Sequence, residues 1–268
     1  MALTDPAREL AFTLALIASG GPEQLDERIC QLTDVQEWSA DFFKVTFYLI
    51  DRFDLLLRET AMLTLDDDIK NDALDSIHSM RSVFASKEMF KQKTMQIESR
   101  ITGSNATVLK MLSGLIRERF CYHRLETHEQ DLIISEVSEL TVWLNKIQSE
   151  EKDFIRQAII DGLTEFEFRL KRLHWFGSGY PIESLRDIIH AYLALEGAKG
   201  LSENGKELSD AILLKTKLFL KKVLEIVELA KDNTERADWM LRAYGAVSAL
   251  NDGAVTISGL LGSTSGTS

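Results

Sequence analysis

Residues 34–60 read DVQEWSADFFKVTFYLIDRFDLLLRET, and the fold class turns on how their apolar positions repeat. Trp38, Phe42, Val45, Leu49, Phe53 and Leu56 recur at intervals of 4, 3, 4, 4 and 3. That period lines them along one face of an α-helix, whereas a strand would scatter them over both faces. The spacing predicts a helix over Asp34–Thr60 with this face buried.

Outward from this helix, little in the chain opposes helices. Only Pro6, Pro22 and Pro181 occur in 268 residues, each where it suits a helix's first turn. Asp161-Gly162 and Asp252-Gly253, the dipeptides that favour hairpins, sit inside helical patterns and not between alternating runs. The expected fold is all-α: a multi-helix bundle with one or two long helices, about 34–60 and 128–174, and a C-terminal helical segment.

Between the long helices the sequence predicts a helix over Asp66–Arg81, a polar stretch Lys87–Arg100, and a break at Thr102–Asn105. Ser104 or Asn105 then caps a helix over Ala106–His123. Ile133, Val137, Leu140, Leu144 and Ile147 follow at 4, 3, 4, 3, the period of a coiled-coil seam, sustained for two heptads. The pattern resumes at Phe154 and runs through Ile155, Ile159, Phe166, Leu170 and Leu173. Residues 128–174 therefore fit either a hairpin broken near Ser149 or one helix of roughly 70 Å at 1.5 Å per residue. With no Gly or Pro before Gly162, the single long helix is the preferred reading. Such a helix needs a second long helix or a second subunit over its apolar stripe, which predicts a homo-oligomer.

Gly177-Ser-Gly-Tyr-Pro181 is the clearest turn. It suggests a main bundle over 1–176, a C-terminal helical subdomain over 177–261 packed on it, and a loose tail over 262–268; a single domain suits the length equally. Glu207–Ala230 and Glu235–Leu250 read as the last strong helices.

Charge bounds the partners. The net charge is −11, with −6 in residues 1–60, −4 in 61–80, +6 in 81–125, −7 in 126–165 and zero thereafter. This acidic balance argues against nucleic acid as the main ligand and fits a protein partner, preferably a basic one. The two cysteines, Cys30 and Cys121, require no disulfide framework and suit a reducing cytoplasm. Asp5 stands where a secretory leader wants Lys or Arg, and Leu10–Ala18 follows Arg8 and Glu9 without an A-x-A-like site, so it reads as a helix. The nearest approach to a membrane span, Ala243–Gly262, is interrupted by Asn251 and Asp252, which leaves membrane contact as a secondary reading.

Chemistry-bearing motifs are sparse. Asp66, Asp67, Asp68 and Asp72 form the densest carboxylate cluster, of a kind that holds Mg²⁺ against a diphosphate in isoprenoid-diphosphate enzymes. Those enzymes want Asp-Asp-x-x-Asp/Glu, however, and Asn71 occupies the last position. The plainer reading places these acids at a helix N-terminus, where the dipole favours them. No Glu is followed by His at the third position, as a di-metal bundle requires; Asp75-x-x-His78 and Asp187-x-x-His190 come nearest. Cys121, His123 and His128 fall within eight residues but span more than one helix face, and phosphate-loop and hydrolase motifs are missing. No metal or cofactor is predicted.

The remaining candidate surface is Arg169, Arg172, His174 and Trp175 ahead of the glycine turn, since Arg and Trp dominate protein hot spots. The sequence thus points to a non-enzymatic helical protein-binding module, a regulator, adaptor or immunity-like protein. It would act through Arg169, Arg172 and Trp175 or through the acidic Asp66, Asp67 and Asp68. Two alternatives stand beside it: a metal-dependent enzyme using the Asp66–Asp72 carboxylates on a phosphorylated substrate, and a membrane-acting effector using Ala243–Gly262.

Overall fold

The computed structural model describes residues 3–118, 121–147, 153–178, 185, 188–192 and 206–226. It is all-α, apart from a two-residue antiparallel pairing of Leu3–Thr4 (β1) with Tyr122–His123 (β2). The predicted helix Glu235–Leu250 and the apolar segment Ala243–Gly262 lie outside the described residues, as does Asp187. No helix among the described residues is long and apolar enough to cross a membrane.

Contacts divide the chain into two compact units, residues 1–124 with 172–180 and residues 125–171 with 181–268. Gly177, read from the sequence as a boundary, belongs to a short segment in which the chain returns to the first unit.

The first unit is organised around α1 (Pro6–Ala18), which touches α2 (Leu25–Thr33), α3 (Ala40–Ala61), α5 (Thr94–Ile101) and α6 (Ser104–Arg117). Pro6 opens α1 as expected, and the Asp5 carboxylate caps it by accepting from the Arg8 N–H at 2.9 Å. Leu10, Leu14 and Ile17, spaced 4 and 3, are fully buried. On α3 the predicted stripe is inside: Phe42, Val45, Leu49, Phe53 and Leu56 have no exposed surface. At 25 cal/mol per Å² each such side chain contributes about 1.5–3 kcal/mol of burial.

The start of α3 differs from expectation. Asp34 ends α2 in the left-handed conformation (φ 49°), and Ser39 caps α3 by accepting from the Phe42 N–H at 3.1 Å. Trp38 falls in the turn between them at φ +60° and lies outside the core stripe that its spacing predicted. Two local capping events outcompete the continuous helix over 34–39.

Helix α4 (Asp67–Phe84) packs on α3, joined to it by a two-pronged Arg81–Asp54 pair at 2.7 and 3.0 Å. A 3₁₀ turn at Met89–Lys91 and α5 account for the polar stretch after Lys87. Helix α6 ends at Arg117, short of the predicted His123. Beyond it, the backbone groups of Tyr122 and His123 pair with Leu3 and Thr4 instead of extending the helix.

In the second unit the predicted 70 Å helix is a hairpin. Helix α7 (Thr127–Lys146) ends where Ile147 turns extended, and α8 (Asp153–Leu170) runs back along it. Arg156 donates to the freed Leu144 carbonyl at 2.9 Å near one end, and the Gln130 amide to the Leu170 carbonyl at 2.7 Å near the other. The helix end that no glycine or proline announced is thus satisfied by an arginine from the partner helix. Of the predicted seam, Ile133, Val137, Leu140 and Leu144 are buried, as are Ile159, Leu163, Phe166 and Leu170 on α8, whereas Ile147 lies half-buried past the end of α7 and Phe154, in the first turn of α8, is 73% exposed. Helix α10 (Lys206–Ile226) packs on α7, and Phe219 meets Phe166 edge-on at 6.4 Å between ring centres. With α8 available to cover α7, the argument for self-association from an uncovered long helix loses its premise.

Candidate protein-binding surface

Of the residues that the sequence put forward as a partner surface, Trp175 is inside. It belongs to the short helix α9 (Leu173–Phe176), its ring is fully buried, and its indole N–H donates to the Val45 carbonyl at 2.9 Å. Arg172 is held down too, donating through Nε to the Thr33 carbonyl at 2.5 Å and through Nη2 to Asp34 O at 3.1 Å. Burial lowers its pKa, and the Asp41 and Asp34 carboxylates oppose that. His174 Nε2 lies 2.5 Å from the Leu32 carbonyl. In the second unit Arg169 is buried against Glu165, at 2.6 Å on the preceding turn of α8. The structure does not bring Arg169, Arg172 and Trp175 together on a surface. Residues 172–176 instead form an anchored strap, because a ring and polar groups that reach internal partners are worth more inside.

The strap closes over a polar interior. The buried Arg52 guanidinium donates to the Trp175 carbonyl and to the Thr13 hydroxyl, the latter at 2.9 Å. The Glu9 carboxyl accepts from the Ser178 N–H at 2.9 Å; burial pushes its pKa up, opposed by Arg52. Gly177 adjoins that carboxyl at φ +76°, and a Cβ there would meet it at 2.1 Å. Asp5 accepts from the Ser113 hydroxyl at 2.7 Å and from Arg117 at 3.3 Å. Every carboxyl in this set has a protein donor, the arrangement of a structural network.

Asp66, Asp67 and Asp68 stand exposed at the start of α4, with Asp66 at the N-cap and the other two in the first turn. Among the described residues no group of three or more His, Cys, Asp or Glu is placed to hold a metal ion. Cys121 lies just before β2, and His128 pairs with Glu126 at 3.5 Å in the first turn of α7. The Cys30 thiol is pushed up to about 11 by burial and by the Glu37 and Asp26 carboxylates, so it stays protonated and poorly nucleophilic at neutral pH.

What the sequence did not single out is an exposed aromatic cluster on the first unit. Trp38 is 51% exposed, Phe43 38% and Phe47 63%. The Trp38 ring lies 4.7 Å from half-buried Phe90 and 6.1 Å from Phe43, and both Trp38 and Phe43 rest on the buried Phe42 at 5.8 and 5.5 Å. Phe43 and Phe47 are one turn apart on α3, off the 42-45-49-53 stripe. That phase is the signal available in the sequence: two aromatics on the wrong side of an otherwise well-ordered amphipathic helix. Exposed acids flank the Trp38 side, namely Asp34, Glu37 and Asp41, and Glu37 accepts from the Trp38 indole at 2.5 Å.

In the second unit, a groove of about 640 Å³ lies between α7 and α10, with the Lys215 ammonium 4.9 Å above the Trp143 ring and Lys222 paired to Glu136. Lys215, Lys221 and Lys222 line it with Glu136 and Glu139, so most of its charge is offset by neighbours in the groove itself. Together, the helical architecture and the exposed rings of the first unit define an all-α protein with a candidate macromolecular interface. No protein-family model, curated protein or solved structure matches the chain.

Proposed function

We propose that this chain is a helical protein-binding module, a regulator or adaptor, that engages its partner through Trp38, Phe43, Phe47 and Phe90. The observation that carries this reading is the exposure of three large aromatic side chains: Trp38 and Phe43 in ring contact, and Phe47 a helical turn beyond Phe43 on α3. Aromatic residues clustered on a rigid helix supply contact area at low entropic cost, and contiguous exposed apolar patches mark interaction sites. The buried stripe beneath them fixes their position, so the surface exists before a partner arrives and binding need not order it.

The test compares the full chain with the double substitution W38A/F47A in native-host co-purification, with stoichiometry read by light scattering. Both side chains are exposed, so the variant is expected to melt within a few degrees of wild type while losing its stoichiometric partner. Undiminished recovery of that partner by the folded variant overturns the assignment.

A further inference from the structure

We propose that the aromatic surface receives an arginine-bearing apolar segment of the partner protein, with the guanidinium against the Trp38 and Phe43 rings beside the Glu37 and Asp41 carboxylates. This rests on the binding-module reading above and specifies the chemistry of the occupant. Three features of the surface carry it.

First, the rings offer what a guanidinium uses. Trp38 meets Phe90 at 4.7 Å and Phe43 at 6.1 Å with interplanar angles of 55° and 62°, and Trp38 and Phe43 both stay exposed. An indole is the strongest neutral partner for a cation, and Arg is the cation most often found on one. A plain apolar partner would be served by aliphatic side chains alone.

Second, the charge beside the rings has one sign on one edge. Asp34, Glu37 and Asp41 are exposed there, and Glu37 adds to the upward shifts that burial chiefly imposes on Cys30 and Asp26 of the preceding helix α2. Of the neighbouring cations, Arg172 is turned down onto the Thr33 and Asp34 carbonyls, and Lys44, beside Phe43 on α3, is half-buried. The first 60 residues carry −6 overall. On the far edge, Lys87 and Lys91 flank Phe90. A partner cation is therefore favoured at the Trp38 edge and disfavoured at the Phe90 edge, which orients the segment as well as attracting it.

Third, the patch continues from the acidic edge along α3 through Phe43 to Phe47, one helical turn further and 63% exposed. An apolar side chain a few residues from the arginine would cover it. Cation and apolar anchor are thus required in one short segment.

The experiment titrates a short synthetic peptide of alternating arginine and leucine into the full chain, beside a twin with citrulline in place of every arginine. The Trp38 indole N–H resonance, assigned by its loss in W38F, is the readout. Citrulline keeps the size and hydrogen-bonding shape but removes the charge. About tenfold tighter binding of the arginine peptide is expected, weakening with salt. E37Q/D41N should weaken that preference, leaving the part due to the rings, whereas K87Q/K91Q should preserve or increase it. Equal binding of the two peptides, or a preference undiminished in E37Q/D41N, overturns the proposal. If that happens while W38A/F47A still loses the native partner, the binding-module reading stands and the arginine assignment alone falls; if W38A/F47A keeps the partner, both fall.

Discussion

In the first unit Asp5 and Arg52 lie in the interior, and the Glu9 carboxyl is sunk beside Gly177 and Ser178, each bonded to groups from other parts of that unit. In the second unit the helices meet through Leu140, Leu144, Leu163, Phe166 and Leu170, while the Lys222–Glu136 and Lys171–Glu167 pairs sit on partly exposed flanks. Arg169–Glu165 is the more buried pair there, and it is local to one helix. The contrast bears on specificity. An apolar seam tolerates small shifts in register, whereas a buried guanidinium aimed at one carbonyl does not, so the strap over 172–178 has essentially one way to seat. A seated strap, in turn, holds the α2–α3 corner through Arg172 and thereby the ground under Trp38.

The sharpest way to break this contrast is to empty the strap's socket. W175A removes a fully buried indole and its bond to Val45 and should cost about 3–5 kcal/mol, read by chemical denaturation. A loss below 1 kcal/mol would show that the strap is not part of the first unit's core. Next, G177A must place a Cβ at positive φ against the Glu9 carboxyl and should cost about 2 kcal/mol. G114A, a helical position with open space around it, is the matched control and should be neutral or slightly stabilising.

A third, smaller effect depends on pH. Because the folded chain raises the Glu9 pKa above its ordinary 4.5, chiefly by burial, folding favours the protonated carboxyl. The stability it contributes is complete below pH 4.5 and is lost as pH rises through the folded value. E9Q, which cannot ionise, should therefore melt at or above wild type at pH 7, with the gap closing towards pH 4.5. A variant that melts lower at pH 7 and equally at pH 4.5 would mean that the Glu9–Arg52 attraction outweighs burial. Smallest of all, E136Q in the second unit should change stability by less than about 1 kcal/mol, since its lysine partner is half exposed. A larger loss there would erase the distinction between the units.

How much of this was legible beforehand depends on which residues are asked about. Helical period alone identified α3 and the α7 seam, because a 3.6-residue repeat of apolar side chains specifies both the element and its buried face. The Asp66–Asp68 acids were correctly legible as a helix start, since the attraction of carboxylates to a helix N-terminus is local chemistry. Trp175 and Arg169 were misread as surface for a physical reason: tryptophan and arginine are amphipathic, and whether their polar atoms find partners inside depends on distant backbone, Val45 for Trp175, that no local window contains. Trp38 was misread in the opposite sense, since its spacing fits the stripe while the Asp34 and Ser39 caps exclude it from the helix.

The sequence by itself determined that this chain is helical, which faces of its main helices are buried, and where its net negative charge is concentrated. Those properties follow from residue order over one or two turns. Only the tertiary structure decided that residues 127–170 double back, that 172–178 lies as a strap over a polar interior, and that Trp38, Phe43 and Phe90 gather at one exposed corner. Each of these depends on side chains far apart in sequence satisfying one another's hydrogen bonds and covering one another's apolar surface, a condition that closes only when the whole chain is folded.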